Sequence, residues 1–222
     1  MQIRLTEISA RRGGEEIALS FELYEDVFDS GALAVGRRAP GRELKELVIL
    51  TERYAALRPK RGIIEEELYL EIEEAARFSD AVKSGMRMLS CGMNTKVMLE
   101  KKLVNRGVSR ETAQSAVLYI VSKGLIDEDA DVQREVECRL ANFWGRNRIR
   151  SKLYMKGFDN KALQTAERYM ETIDFSERCA ELIRRRYMKY LADPAMHKKM
   201  AATLMRCGYT MNEIRSAVRS LD

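Results

Sequence analysis

Apolar residues recur along this chain at helical spacing, and in three places they recur in the same order. The first run is Leu99, Leu103, Gly107, Val108, Ser109, Ala113, Ala116 and Ile120. The second is Ile149, Leu153, Gly157, Phe158, Asp159, Leu163, Ala166 and Met170; the third is Met200, Leu204, Gly208, Tyr209, Thr210, Ile214, Ala217 and Leu221. Self-similarity at a near-constant period marks a repeat architecture. Within each run, apolar residues four apart predict a helix stripe, and the glycine stands where a helix ends in a left-handed residue. Ser109, Asp159 or Thr210 then supplies an oxygen for the free amides of a second helix, and Thr210 with Glu213 spells a capping box. Small inward residues such as Ala113 and Ala116 let the two helices approach closely.

A further amphipathic stretch precedes each pair: Val82, Met86 and Leu89, then Val132, Val136 and Leu140, then Leu182, Ile183 and Leu191. The pattern therefore predicts three three-helix repeats, over 63–126, 127–174 and 175–222. The N-terminal part, 1–62, reads differently. Ile3, Leu5 and Ile8 and then Ile17, Leu19, Phe21 and Leu23 alternate on either side of Gly13-Gly14, which predicts a β-hairpin. A third segment around Ala32 to Val35 is expected to pair with it, because a lone hairpin is marginal in water. Gly36, Pro40 and Gly41 form a loop, a helical stretch begins near Glu43, and Ile63 to Leu89 is helical again. The change of period predicts that the hairpin is dispensable for folding of the remainder from Ile63 onward. The fold class is mostly α: tandem helix-turn-helix-like repeats in an elongated curved array, with a small N-terminal β-hairpin region.

Charge changes this picture by dividing the chain. Residues 1–80 carry 12 Lys and Arg against 17 Asp and Glu, whereas 81–222 carry 27 against 17, so the basic excess belongs to the repeats. Arg146, Arg148, Arg150, Lys152 and Lys156 form one cluster; Arg184, Arg185, Arg186 and Lys189 form another. Lys101, Lys102, Lys198 and Lys199 sit near other helices. Such clusters suit phosphates or an acidic protein surface, although a solvated helix face uses the same residues.

Candidate chemistry adds little. Cys91, Cys138, Cys179 and Cys207 are widely spaced, and His197 is the single histidine, so no zinc-ligand spacing exists. The runs Glu65-Glu66-Glu67 and Glu73-Glu74 read as helix-start carboxylates rather than an acid-base pair. Trp144 and Tyr209 read as packing residues rather than base-stacking groups. No apolar run is long enough for a membrane span and no signal peptide is visible, which predicts a cytoplasmic protein with no membrane partner.

The stretch Gly145-Arg146-Asn147-Arg148-Ile149, with Leu153 and Lys156-Gly157-Phe158, resembles the G-x-x-R-I-x-x-x-L-x-x-K-G motif of RecX regulatory proteins. Upstream, Leu103, Gly107-Val108 and Gly124-Leu125-Ile126-Asp127-Glu128 resemble that family's first repeat and the opening of its second. Downstream, Leu204, Gly208-Tyr209 and Ile214 fit its third, so the likeness runs from roughly residue 75 to 222. Departures are Met98 and Ala130-Asp131, where the family carries an acidic residue and an aromatic-alanine pair, and a longer region from Tyr54 to Glu67.

The resemblance implies a monomeric, non-enzymatic regulator without a cofactor. It would bind the RecA recombinase filament on single-stranded DNA, inhibit its ATP hydrolysis and strand exchange, and so modulate homologous recombination, DNA repair and the SOS response. Weak contact with single- or double-stranded DNA is compatible with the basic clusters. The main rival is a helix-turn-helix DNA-binding regulator; three repeated turns fit it poorly, since a groove reader needs one recognition helix and a dimer axis. An enzyme has no visible nucleophile-base pair or phosphate loop to work with, and a plain scaffold leaves the charge asymmetry unused.

Overall fold

The computed structural model describes residues 2–24, 42–191 and 193–221. The chain forms two compact units: Met1–Ser90 together with Lys102–Ile120, and Cys91–Lys101 together with Val121–Asp222.

The first unit is built on an antiparallel sheet of order β3-β2-β1-β4, with β1 at Gln2–Arg11, β2 at Glu16–Tyr24, β3 at Arg42–Leu50 and β4 at Gly62–Ile64. The hairpin is present, turning through Gly13 and Gly14 at positive φ. Alternation puts Ile3, Leu5, Leu19, Phe21 and Leu23 on one face, where they pack with Ile49 against Tyr69, Ile72, Ala75 and Ala76 of α2 (Glu66–Ser90). Phe21 meets Tyr69 edge-on at 5.2 Å between centroids.

The expected pairing segment around Ala32 to Val35 lies outside the described residues. Three other sequence expectations change here. The stretch beginning near Glu43 is a strand, not a helix: Arg42 to Leu50 pairs with β2 over its whole length, Glu16↔Leu50 to Tyr24↔Arg42. Its residues Leu44, Leu47 and Val48 follow helical spacing, but the strand turns Leu47 and Ile49 toward the core and leaves Leu44 exposed, and ladder pairing overrides the local pattern. Ile63 belongs to β4, which pairs Gly62–Ile64 with Ile3–Leu5, and the helix expected from Ile63 begins at Glu66. Because the hairpin supplies half the core under α2, it is not an appendage of a remainder beginning at Ile63.

A short helix, α1 (Thr51–Leu57), follows β3, and Ser79 accepts from the Leu50 amide at 3.0 Å. Glu66 and Glu67 lie in the first turn of α2 as expected, and Glu73 pairs with Lys45 of β3. α3 (Lys96–Val104) and α4 (Arg110–Ser122) form the first tight turn, where Gly107 has φ 88° and Ser109 accepts from the Thr112 amide.

The second unit continues with α5 (Glu128–Ala141), α6 (Arg146–Lys156), α7 (Asn160–Glu171), α8 (Phe175–Arg186), α9 (Met188–Leu191), α10 (Pro194–Arg206) and α11 (Met211–Arg219). Asp127, Asp159 and Asp174 cap α5, α7 and α8, and Thr210 with Glu213 forms the capping box of α11. Val132, Val136, Ile149, Leu153, Ala166, Met170, Ile183, Leu204, Tyr209 and Ile214 belong to one continuous core. The stretch from Leu182 to Leu191 is not one helix. α8 stops at Arg186, Tyr187 leaves helical geometry at φ −129°, and Lys189 falls on the separate α9.

Gly157 and Gly208 take positive φ, 68° and 100°, at the ends of α6 and α10. They also carry a second duty. A Cβ on Gly157 would lie 3.0 Å from the side chain of Val97, and one on Gly208 would lie 2.5 Å from Cβ of Arg148. The turn of each of these repeats is therefore packed beneath the start of the preceding repeat's middle helix. Gly107, whose repeat has no predecessor, meets nothing within 4 Å. Among the described residues no helix is long and apolar enough to cross a membrane.

Candidate functional site

The basic clusters lie on α6, α8 and α9, and the start of α6 organises much of what surrounds them. Gly145 sits at its N-cap with an ordinary φ of −78°, and its amide donates to the Cys207 carbonyl at 2.8 Å. The Asn147 amide donates to Gly208 O at 3.2 Å, and Tyr209 donates its hydroxyl to Phe143 O at 3.1 Å. A Cβ at Gly145 would stand 2.3 Å from the Gly208 carbonyl carbon, so no larger residue fits. This backbone contact holds the first turn of α6, and with it Arg146 and Arg148.

Burial then divides the candidate cations. Arg146 is half-buried, donates from Nη2 to the Met170 carbonyl at 3.0 Å and lies 5.2 Å from the Phe175 ring; its place is in the packing. Lys156 is also half-buried, 2.8 Å from Glu135, which Arg139 contacts from the other side at 2.8 Å. Burial pushes the Glu135 carboxyl up, and the hydrogen bonds from Lys156 and Arg139 outweigh it, leaving the group below the usual carboxylate range. Arg150 grips Glu167 through two nitrogens, at 2.6 and 2.8 Å, a bidentate pair that raises the arginine and lowers the glutamate. Arg185 contacts Glu181 at 2.6 Å and lies over Phe143 at 4.9 Å.

The remaining cations face outward. Arg148 is exposed and its guanidinium lies 3.8 Å from the Trp144 ring centroid, with Arg139 5.1 Å from the same ring. Arg184 and Arg186 are exposed, Lys152 is half-exposed, and these three make no ion pair or hydrogen bond among the described residues. Lys189 is exposed, 5.7 Å from the Tyr190 ring. The structure thus turns Arg146, Arg150, Lys156 and Arg185 toward partners within the unit, and leaves Arg148, Lys152, Arg184, Arg186 and Lys189 available to a ligand.

Several organising residues escape sequence reasoning. Glu128, buried, accepts from the Lys96 amide at 2.8 Å and from the Asp159 amide at 3.0 Å, joining the starts of α3 and α7. Arg178 donates to Leu140 O and stacks on Phe143 at 5.3 Å. The i,i+4 spacing of Glu135 and Arg139 was a visible signal; the others depend on long-range placement. Tyr209 is packing, as expected, and Trp144 is half-buried between two arginines. Burial pushes the Cys179 thiol up to about 12, which keeps it protonated and inert. Among the described residues, no group of His, Cys, Asp and Glu is placed to hold a metal ion. The first unit has a cleft of about 990 Å³ whose walls set Arg53, Arg77 and Arg106 beside Glu71, Asp80 and Glu111.

No protein-family model matches the chain. It is 32% identical over 139 residues to the regulatory protein RecX of Xanthomonas campestris pv. campestris (strain B100), across 62% of this chain and 85% of that protein. It is 33% identical over 122 residues to the RecX protein of Xanthomonas axonopodis pv. citri (strain 306), across 54% and 75%. Among solved structures, a crystal structure of regulatory protein RecX superposes with a TM-score of 0.71 at 16% identity, covering 96% of this chain and 97% of the other. RecX from Lactobacillus salivarius gives 0.59 at 18% identity, covering 66% and 97%.

Proposed function

The chain belongs to the RecX family of regulatory proteins, and on that premise we propose that it binds the RecA recombinase filament on single-stranded DNA and inhibits its ATP hydrolysis and strand exchange. The observation that carries this reading is the 32% identity over 139 residues to a RecX protein. The protein acts by binding rather than by catalysis, as a cytoplasmic regulator. Residues 63–126, 127–174 and 175–222 serve as three successive binding modules, each a small helical unit able to meet its own stretch of an extended partner.

Within this reading, Arg148, Lys152, Arg184, Arg186 and Lys189 supply the electrostatic contact, while Arg146, Arg150, Lys156 and Arg185 hold the helices that carry them. Exposed charges of this kind steer association and are screened by salt. The decisive experiment is co-sedimentation of the purified chain with RecA filaments formed on single-stranded DNA, together with the RecA ATPase rate. Saturable co-sedimentation with a falling ATPase rate is expected. Equal recovery in the pellet with and without the filament would refute the reading, and a sequence-specific footprint on duplex DNA would favour the helix-turn-helix regulator instead.

A further inference from the structure

Within the second unit, the turn after α5 is built like the turns after α6 and α10 but is filled differently. In each, an amide donates to the carbonyl five residues earlier: Trp144 to Arg139 at 3.1 Å, Phe158 to Leu153 at 3.5 Å, and Tyr209 to Leu204 at 3.2 Å. The residue before that amide is left-handed. It is Gly157 or Gly208 in two of the turns and Phe143, at φ 58°, in the third, where a side chain carries a steric cost that glycine avoids. The aromatic residue that follows is core in two of the turns, since Phe158 and Tyr209 are buried, whereas Trp144 is half-buried and carries Arg148 over its ring.

Four arginines gather on these two rings. Arg178 and Arg185 lie 5.3 and 4.9 Å from the Phe143 centroid, and Arg139 and Arg148 lie 5.1 and 3.8 Å from that of Trp144. Glu181 pairs with Arg178 and Arg185, and Glu135 pairs with Arg139. Arg148 makes no ion pair among the described residues. Its guanidinium carbon is at van der Waals contact over the indole, so one side of the group rests on the ring and the other is open to solvent. Lys152, one helical turn on from Arg148, is half-exposed and equally unpaired among the described residues. Arg185 over Phe143 brings the end of α8, with exposed Arg184 and Arg186, to the same loop. The two basic clusters, separate in sequence, therefore meet at Phe143-Trp144.

We propose that Arg148, seated on Trp144, is a base-stacking platform for single-stranded nucleic acid, with Lys152, Arg184 and Arg186 holding the neighbouring phosphates. A phosphate needs only positive charge, and a carboxylate takes an arginine through its edge, so neither makes use of the ring beneath. A guanidinium fixed on an indole also presents a planar surface, on which a nucleobase stacks whatever its identity. This contact rests on the RecA-filament reading above and adds to it a direct, sequence-tolerant hold on the strand that the filament carries.

The test uses the full chain and its variants Arg148→Lys, Arg148→Ala and Lys152→Gln, with two fluorescein-labelled strands of equal length. One is oligothymidylate; the other is an abasic deoxyribose-phosphate strand, which keeps the phosphates and lacks the bases. Affinities are measured by fluorescence anisotropy across a salt series, and circular dichroism verifies folding, which exposed side chains leave intact. The unmodified chain is expected to bind oligothymidylate about tenfold more tightly than the abasic strand. Arg148→Lys keeps the charge and loses the plane, so the preference disappears while the slope of affinity against salt is unchanged; Arg148→Ala loses the preference and lowers the slope as well. Lys152→Gln weakens both strands alike and keeps the preference. Equal affinity of the unmodified chain for the two strands, or binding to neither, overturns the proposal. So does a preference that survives in Arg148→Lys, and loss of RecA-filament co-sedimentation by that variant with its oligothymidylate binding intact would assign Arg148 to filament protein instead. The naked strands contain no RecA, so failure of the unmodified chain to co-sediment with filaments refutes the functional reading separately from the platform.

Discussion

Replacing Gly145 by alanine sets local backbone preference against tertiary packing, and the two give opposite signs. The backbone at Gly145, φ −78° and ψ 163°, is open to any residue. On that ground alone, alanine would stabilise the protein by about 0.4–1 kcal/mol by restricting the unfolded chain. The surroundings forbid it. The added Cβ would stand 2.3 Å from Gly208 C, 2.4 Å from Tyr209 N and 2.5 Å from Gly208 O, all backbone atoms that no rotamer change can move aside. Restoring ordinary contact separates the two segments by about 1 Å or more. That stretch breaks the hydrogen bonds from Gly145 N to Cys207 O and from Asn147 N to Gly208 O, now 2.8 and 3.2 Å. Two such bonds contribute about 1 kcal/mol each, and overpacking strain adds about 1–3 kcal/mol. The net expectation is destabilisation by about 3 kcal/mol. Trp144 adjoins Gly145, stacks under Arg148 and is the protein's single tryptophan, so its fluorescence reports this junction during urea unfolding. With a slope near 2 kcal/mol per molar, the midpoint falls by about 1.5 M. An unchanged or raised midpoint would refute the packing argument and return Gly145 to a merely local role.

Other outcomes follow from the same geometry. Gly107→Ala, at φ 88° with nothing within 4 Å of the new Cβ, costs only the left-handed backbone penalty, about 1–2 kcal/mol, in thermal unfolding followed by circular dichroism. Glu135→Gln is less stable than the unmodified protein by about 2 kcal/mol at neutral pH. Because the folded-state pKa of Glu135 is lowered, this advantage is complete above the unfolded value and disappears as pH falls through the folded one, so the two proteins converge in acid. A constant difference down to low pH would exclude the charged pairing as its source. Reversing Lys152, Arg184 and Arg186 to glutamate together nearly abolishes filament co-sedimentation, while each single alanine change weakens it only a few-fold. Deleting residues 1–61 exposes Tyr69 and Ile72 and removes cooperative unfolding of the first unit; a sharp thermal transition retained by that unit would show the hairpin to be separable after all.

Periodicity along the chain was enough to place the helix-turn-helix pairs. The stripes ending at Gly107, Gly157 and Gly208, and the caps Asp159 and Thr210, are local signals, because a left-handed helix end and an amide-capping oxygen are decided within a few residues. The basic excess of the repeats was equally legible. The third strand was not, since Leu44, Leu47 and Val48 stand at helical spacing, and only pairing with β2 imposes the extended form that turns Leu47 and Ile49 inward. Nor could sequence sort the cations: Arg146 and Arg148 are two residues apart in one motif, yet one donates to the buried end of α7 and the other faces outward over Trp144. Gly145 shows the division most plainly. Its dihedrals suit any residue, and its need for glycine arises entirely from a backbone brought against it from Gly208, sixty-three residues along the chain. Hydrogen bonds and caps between near neighbours are written in local pattern, whereas steric exclusion and charge pairing across repeats exist only once the helices have packed.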